Sequence, residues 1–263
     1  MVVRNFDYLL EQLYATAPHL NATRLMLLNS MALALQAKFD IALNPNSDFA
    51  TPEFCEYFAS RLLIHHAVVE EKLNKKSFEY VFRDALRHTG RAANITTSNV
   101  HPGADLIVDG TKVSLKTEAS KNIRDTKIMI SKFMEARWIR DQDAQSLAQL
   151  SSNRLREHLA GYDRIMMLRA FDIARNQVKY DLVEIPHNLL SLATQLKPND
   201  ITLNQGRSGG GSALVLQNTQ NAFTLKFDGS VEKITIANLP VEFCTIHATW
   251  SIPLMIDSFE ATI

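Results

Sequence analysis

HPGADLIVDGTKVSLKTEASKN, running from His101 to Asn122, holds an Asp109-Gly110 pair between two runs of β-forming residues. That dipeptide suits the two positive φ angles of a type I′ turn, so the stretch is expected to form a β-hairpin. A two-residue loop sets Val108 opposite Thr111, Ile107 opposite Lys112, Leu106 opposite Val113 and Asp105 opposite Ser114. Side chains alternate along a strand, so Val113, Leu115 and Thr117 face one side while Lys112, Ser114, Lys116 and Glu118 face the other, together with Asp105. Opposed side chains lie about 5 Å apart and diagonal ones about 7–8 Å apart. Asp105, Ser114 and Lys116 therefore converge on a space that fits a divalent ion and a water.

Such a grouping points to metal-dependent phosphodiester cleavage. A hard cation such as Mg²⁺ needs only one or two carboxylates, because waters and a substrate phosphate oxygen complete its shell. Asp105 is the first expected ligand. Lys116, as an ammonium, would stabilise charge developing on the phosphate and orient the attacking water, or take a proton if its pKa were depressed. In the PD-(D/E)xK nuclease pattern an acid stands where this chain has Ser114, which is a weak metal ligand. Three acids could supply what Ser114 lacks. Glu118 shares the polar face, Glu79 borders the apolar stripe of the preceding helix, and Glu135 in SKFMEARW is more distant.

The 263 residues are 46% hydrophobic, enough for the core of one large domain. Apolar runs fall short of the roughly 20 residues that span a bilayer, and the N-terminal MVVRNFDYLLEQLY carries charge where a signal peptide is apolar, so a cytoplasmic location is expected. Cys55 and Cys244 lack metal-site spacing and read as two reduced thiols. Basic and acidic residues balance at 28 each, yet between Gly110 and Arg140 the bases dominate. Lys121 and Lys132 in that strip, with Ser114, Asn122 and Arg207, are candidate DNA contacts; a polyanion is drawn to such a strip, although a solvated helix face can show the same bias.

Helical apolar spacing covers Phe6 to Tyr14, Leu25 to Ile41, Phe54 to Leu63 and about Glu70 to His88, where Phe78, Val81, Phe82, Ala85 and Leu86 form one stripe. After the hairpin, Lys127 to Ser131 reads as a strand and Phe133 to about Leu159 as mostly helix. Strands follow at Tyr162 to Phe171 and Val178 to Ile185, then a short helix opened by Pro186. The last seventy residues are β-rich, with strands at Ala213 to Leu216, Ala222 to Phe227, Val231 to Ile236 and Phe243 to Trp250, and a second hairpin at Asp228-Gly229. This order gives an α/β fold with a central mixed β-sheet flanked by helices. We read it as one domain over 1–263, comprising a helical subdomain at 1–68, a catalytic core at 69–195 and a β-rich region at 196–263 that serves DNA recognition. His65 and His66 point about 100° apart on a helix and are expected to make polar contacts rather than share a metal. The glycine-rich stretch from Gln205 to Ser212 lacks the spacing and lysine of a phosphate loop and reads either as a flexible connection or as a DNA-contacting loop. Trp138 and Trp250 are expected in or near the core.

RLLIHH, KKSFEYVFRDAL, the hairpin, SKFMEARW, YDRIMMLRAF, YDLVEIPHNLL, and FDG followed by a C-x-I-H-x-x-W ending at Trp250 occur in one order from about Arg61 onward. In these segments the chain resembles the SmaI family of type II restriction endonucleases. The resemblance implies a PD-(D/E)xK restriction-endonuclease-like core and Mg²⁺-dependent cleavage of double-stranded DNA at a short palindrome, with a G·C-rich CCCGGG-like site and blunt ends as the family example. It implies a homodimer, Mn²⁺ as a substitute ion, and a DNA methyltransferase in the same system that need not touch this protein. Family catalytic positions fall on Asp105 and Lys116, with Glu79 and Glu118 as acidic partners. The alternatives are a structure-specific repair or recombination nuclease, and a DNA-binding protein without catalysis.

Overall fold

The computed structural model describes residues 5–96, 103–140, 142–174, 176–205 and 209–254. The chain opens with helices α1 (Phe6–Thr16) and α2 (Ala22–Leu35), strand β1 (Asp40–Leu43), and helices α3 (Pro52–His66) and α4 (Lys75–His88). Strands β2 (Ala93–Ile95), β3 (Leu106–Val108), β4 (Thr111–Glu118) and β5 (Lys127–Glu135) follow, then helix α5 (Ala144–Leu159). The hairpin partners β6 (Arg164–Ala174) and β7 (Gln177–Ile185), the short helix α6 (His187–Ser191), and strands β8 (Ile201–Leu203), β9 (Gly210–Gln217), β10 (Gln220–Asp228), β11 (Lys233–Pro240) and β12 (Thr245–Pro253) complete the described chain.

The β3–β4 hairpin has the register that its turn dictates: Leu106 pairs with Val113, Ile107 with Lys112 and Val108 with Thr111. Asp109 and Gly110 both have positive φ, as a type I′ turn requires. Asp109 tolerates this because its carboxylate is tied to Arg91 and to the backbone N–H of Ala92. The hairpin lies in a seven-stranded sheet of order β1-β12-β7-β6-β4-β3-β2, in which β4 and β6 are parallel and the other neighbours antiparallel. A second, five-stranded sheet has the order β5-β11-β10-β9-β8.

The parallel strands at the centre of the large sheet are covered on both faces, as parallel pairs generally are. On β6, Met166, Leu168 and Ala170 face α3 and α4, whereas Ile165 and Met167 face α5 and the second sheet. The α4 stripe packs as its spacing predicts, with Phe78, Phe82, Ala85 and Leu86 almost fully buried. Trp250 of β12 stacks on Phe58 of α3 at 4.6 Å and donates its indole N–H to the carbonyl of Cys55. Each of these large side chains contributes about 1.5–3 kcal/mol of burial.

Four expectations are corrected. The helix expected over Leu25–Ile41 ends at Leu35, and residues 40–43 form β1, because pairing with β12 (Asp40 opposite Ser251) satisfies that backbone better than another helical turn. Helix α4 begins at Lys75 rather than near Glu70, since Asn74 caps it by accepting the Ser77 N–H. Phe133 to Glu135 belong to β5, held by pairing with β11, and the helix starts only after Asp143, which caps it through Ser146. The last strand does not stay with the β-rich region: β12 enters the large sheet beside β7, while β5 leaves the core segment for the second sheet.

Candidate active site

Asp105 stands immediately before β3, where the backbone is already committed to the ladder: its N–H donates to the carbonyl of Val113. Its side chain folds toward β4. Oδ2 accepts the Leu115 N–H at 2.6 Å and lies 3.4 Å from the Ser114 hydroxyl, while Oδ1 faces α4 and pairs with Lys75 Nζ at 2.7 Å. Two of these contacts come from the hairpin, so Asp105 is fixed by its own register.

The other half of the site comes from the first turns of α4. Glu79 is 7% exposed, and its Oε1 lies 3.8 Å from the same Lys75 Nζ while Oε2 pairs with Lys76 at 2.9 Å. Lysines at a helix N-terminus oppose the helix dipole. Glu79 and Asp105 offset that cost, and the Lys75 ammonium ends between the two carboxylates. A cation is thus already held where Asp105 and Glu79 meet.

Lys116 projects from the polar side of β4. Among the described residues it makes no direct hydrogen bond or ion pair. Burial pushes its pKa down to about 8, with Lys75 adding repulsion and Asp105 and Glu79 opposing the shift. His158 of α5 is within electrostatic reach of it, and burial, reinforced by the Lys116 charge, lowers that imidazole to about 4 and keeps it neutral.

Glu118 is placed elsewhere. Its Oε1 accepts the Met129 N–H of β5 at 3.0 Å and its Oε2 pairs with the fully buried Arg169 at 2.7 Å, so both oxygens are engaged away from Asp105. Arg169 also donates to the carbonyls of Arg124, Asp125 and Lys127. This pair joins the two sheets, so the structure does not bring Glu118, expected as a metal ligand, together with Asp105 and Glu79. Ser114 is fully buried beneath Asp105, which corrects its expected role in DNA contact to one of supporting the carboxylate. Glu135 is exposed on β5 and paired with Lys132 at 2.8 Å, and it does not join the site. Lys121 and Asn122 are exposed just beyond β4, and Lys132 is exposed on β5. Arg207, like the rest of residues 206–208 and His101 and Pro102 of the hairpin stretch, lies outside the described residues.

The two histidines of α3 make separate polar contacts: His66 reaches the Tyr180 hydroxyl and the Val69 carbonyl, and His65 the Glu71 carbonyl. Cys55 and Cys244 are free, and burial raises both thiols, to about 11 and about 12. Among the described residues, no three His, Cys, Asp or Glu side chains cluster as a metal site. The donor set is therefore two carboxylates with a neighbouring lysine. Lys75 was not anticipated from the sequence; the available signal was a lysine four residues before Glu79 at a helix start, where a basic residue is unfavourable.

The family model described as SmaI, type II site-specific deoxyribonuclease, matches residues 13–252, which include every element of this site. The chain belongs to this family. It is similar to the type II restriction enzyme SmaI of Serratia marcescens, with 36% identity over 210 residues that cover 78% of this chain and 82% of that protein. As a SmaI-family member it is a type II restriction endonuclease, a hydrolase of phosphodiester bonds. None of the helices in the described residues is long and apolar enough to cross a membrane.

Proposed function

We propose that the chain cuts both strands of double-stranded DNA at a short palindrome in an Mg²⁺-dependent reaction, using Asp105, Glu79 and Lys116 on a PD-(D/E)xK-type core. The observation that carries this reading is the convergence of Asp105 and Glu79 on one cation, the Lys75 ammonium, with Lys116 alongside. Two carboxylates suit Mg²⁺ or Mn²⁺, whose remaining positions are filled by water and phosphate oxygen. When bound, the ion supplies positive charge at the scissile phosphate and favours deprotonation of water there.

The protein's own groups do the rest. Asp105 offers Oδ1 while the Leu115 N–H holds Oδ2, which fixes the carboxylate's orientation. Glu79 contributes the second carboxylate from a buried position on α4. Lys116 carries its charge toward the phosphate at neutral pH, below the pKa of about 8. Lys121, Asn122 and Lys132 offer exposed donors to the DNA backbone, and Arg207 is a further DNA contact in the same reading. A palindrome calls for two copies related by a two-fold axis. In a restriction system a methyltransferase guards host DNA without needing to touch this chain, and both meet that DNA in the cytoplasm. A G·C-rich, CCCGGG-like target with blunt cleavage is the starting expectation.

The deciding experiment incubates purified protein with unmethylated phage DNA and Mg²⁺ and sequences the fragment ends. Discrete fragments sharing one palindrome are expected and give the cut position. DNA left intact at every enzyme concentration, with Mn²⁺ also tried, would overturn the reading.

A further inference from the structure

The first two helices are the part of the fold that the core fails to explain. Helix α1 buries none of its residues and α2 buries only Ala34. Ten large apolar side chains between Phe6 and Leu35 stand exposed, including Phe6 at 73%, Tyr14 at 69% and Met26 at 57%. Scattered surface leucines are ordinary, but ten exposed within thirty residues concentrate more apolar surface in one segment than a lone surface needs, as interaction sites do. The sequence of α2, ATRLMLLNSMALAL, carries one charge and is apolar around most of its circumference. A helix of that composition is stable when other helices surround it.

We infer that α1 and α2 form the surface through which two copies of this chain associate, with these apolar helices of one copy packed on those of the other. Two observations select a second copy as the occupant. The area fits: ten half-exposed side chains of this size offer roughly 800 Å² per copy, which is what each partner of a standard stable interface contributes. The charge fits: residues 5–35 hold only Asp7, Glu11 and Arg24 besides His19, so two such faces meet with little like-charge repulsion. That same poverty of Lys and Arg speaks against an anionic membrane surface or nucleic acid, both of which select basic faces.

The inference gives a location to the two-subunit arrangement in the nuclease reading, but its observation is independent of that reading. Sedimentation equilibrium of the full chain without DNA tests it. The native chain is expected at twice its 29.6 kDa mass. Met26→Glu/Leu33→Glu places two charges seven residues apart on one face of α2 and is expected to raise the dimer dissociation constant at least roughly 100-fold with an unchanged far-UV spectrum. Phe6→Asp/Leu13→Asp on α1 serves if the first variant fails to fold. On supercoiled plasmid the same variants should lose linearisation with nicking retained. A native monomer, a dimer indifferent to both variants, or a native chain that floats with neutral lipid vesicles would overturn the surface. A variant-sensitive dimer that never cuts DNA would instead overturn the nuclease reading and leave the surface standing.

Discussion

The ammonium of Lys75 sits 2.7 Å from Oδ1 of Asp105, the one carboxylate oxygen that the backbone of β4 does not hold. A divalent ion that ligates Oδ1 must therefore displace Lys75. In Lys75→Met the displacement is no longer needed, and a half-exposed pair of this kind is worth about 1 kcal/mol. Calorimetric titration with Ca²⁺ or Mg²⁺ should find roughly fivefold tighter binding, together with a lower melting temperature without metal, because Asp105 and Glu79 then face each other uncompensated. Unchanged affinity would mean that the ion is held elsewhere.

Asp105→Asn keeps an acceptor for the Leu115 N–H but removes the charge, and Glu79→Gln does the same on α4. Each should lower single-turnover cleavage by roughly 10³-fold, the scale set by several kcal/mol of lost charge stabilisation. Gel-shift binding of the same DNA should persist. Full cleavage by either purified variant removes that residue from the site.

Lys116 sets stability against its proposed role in cleavage. Its folded pKa lies near 8, below the ordinary 10.5. As pH falls from 10.5 toward 8, the unfolded chain gains a proton that the folded chain does not, so the fold loses stability, and the full cost persists below 8. Lys116→Met should therefore be more stable than the native chain at pH 7 by about 1–2 kcal/mol in urea unfolding, and less so above pH 10, while cleaving no DNA. The ammonium role further predicts a rate that declines above pH 8, a limb that Lys116→Arg, charged past pH 12, should remove.

Arg169 and Glu118 make the complementary case. Their pair is almost fully buried, and Arg169 also satisfies three backbone carbonyls at the entry to β5. Arg169→Met leaves Glu118 and those carbonyls without their donor and should cost about 3–5 kcal/mol, read as a lower urea midpoint. Glu118→Gln should lose stability in the same assay, yet retain cleavage within a few-fold under conditions where it is folded. A 10³-fold loss of cleavage in folded Glu118→Gln would return that residue to the metal.

Local rules made the hairpin legible. The Asp109-Gly110 turn sets the register, the register puts Asp105 against Ser114, and alternation sends Lys116 to the polar side. The α4 stripe likewise placed Glu79 at its buried edge. What the sequence could not carry was contact between distant segments. Glu118 looks available on the strand face, but Arg169, fifty-one positions later, claims it through the parallel β4–β6 pairing. Residues 133–135 have helical spacing yet form strand because β11 offers them a ladder. Lys75 lay outside the expected site because nothing local shows that α4 begins beside Asp105.

Strand β12 has one more implication. It stands between β1 and β7, and its Trp250 fills the aromatic cluster of α3 across 195 positions of chain. Contacts of such long sequence separation make folding slow. While residues 245–253 are still within the ribosome, β1 has no neighbour to pair with and α3 lacks its aromatic cover. A nascent chain can thus display Asp105, Glu79 and Lys116 without the packing that keeps them aligned. The packing around α3 and β1 is therefore complete only once residues 245–253 have been made, which ties the order of the proposed site to the end of synthesis.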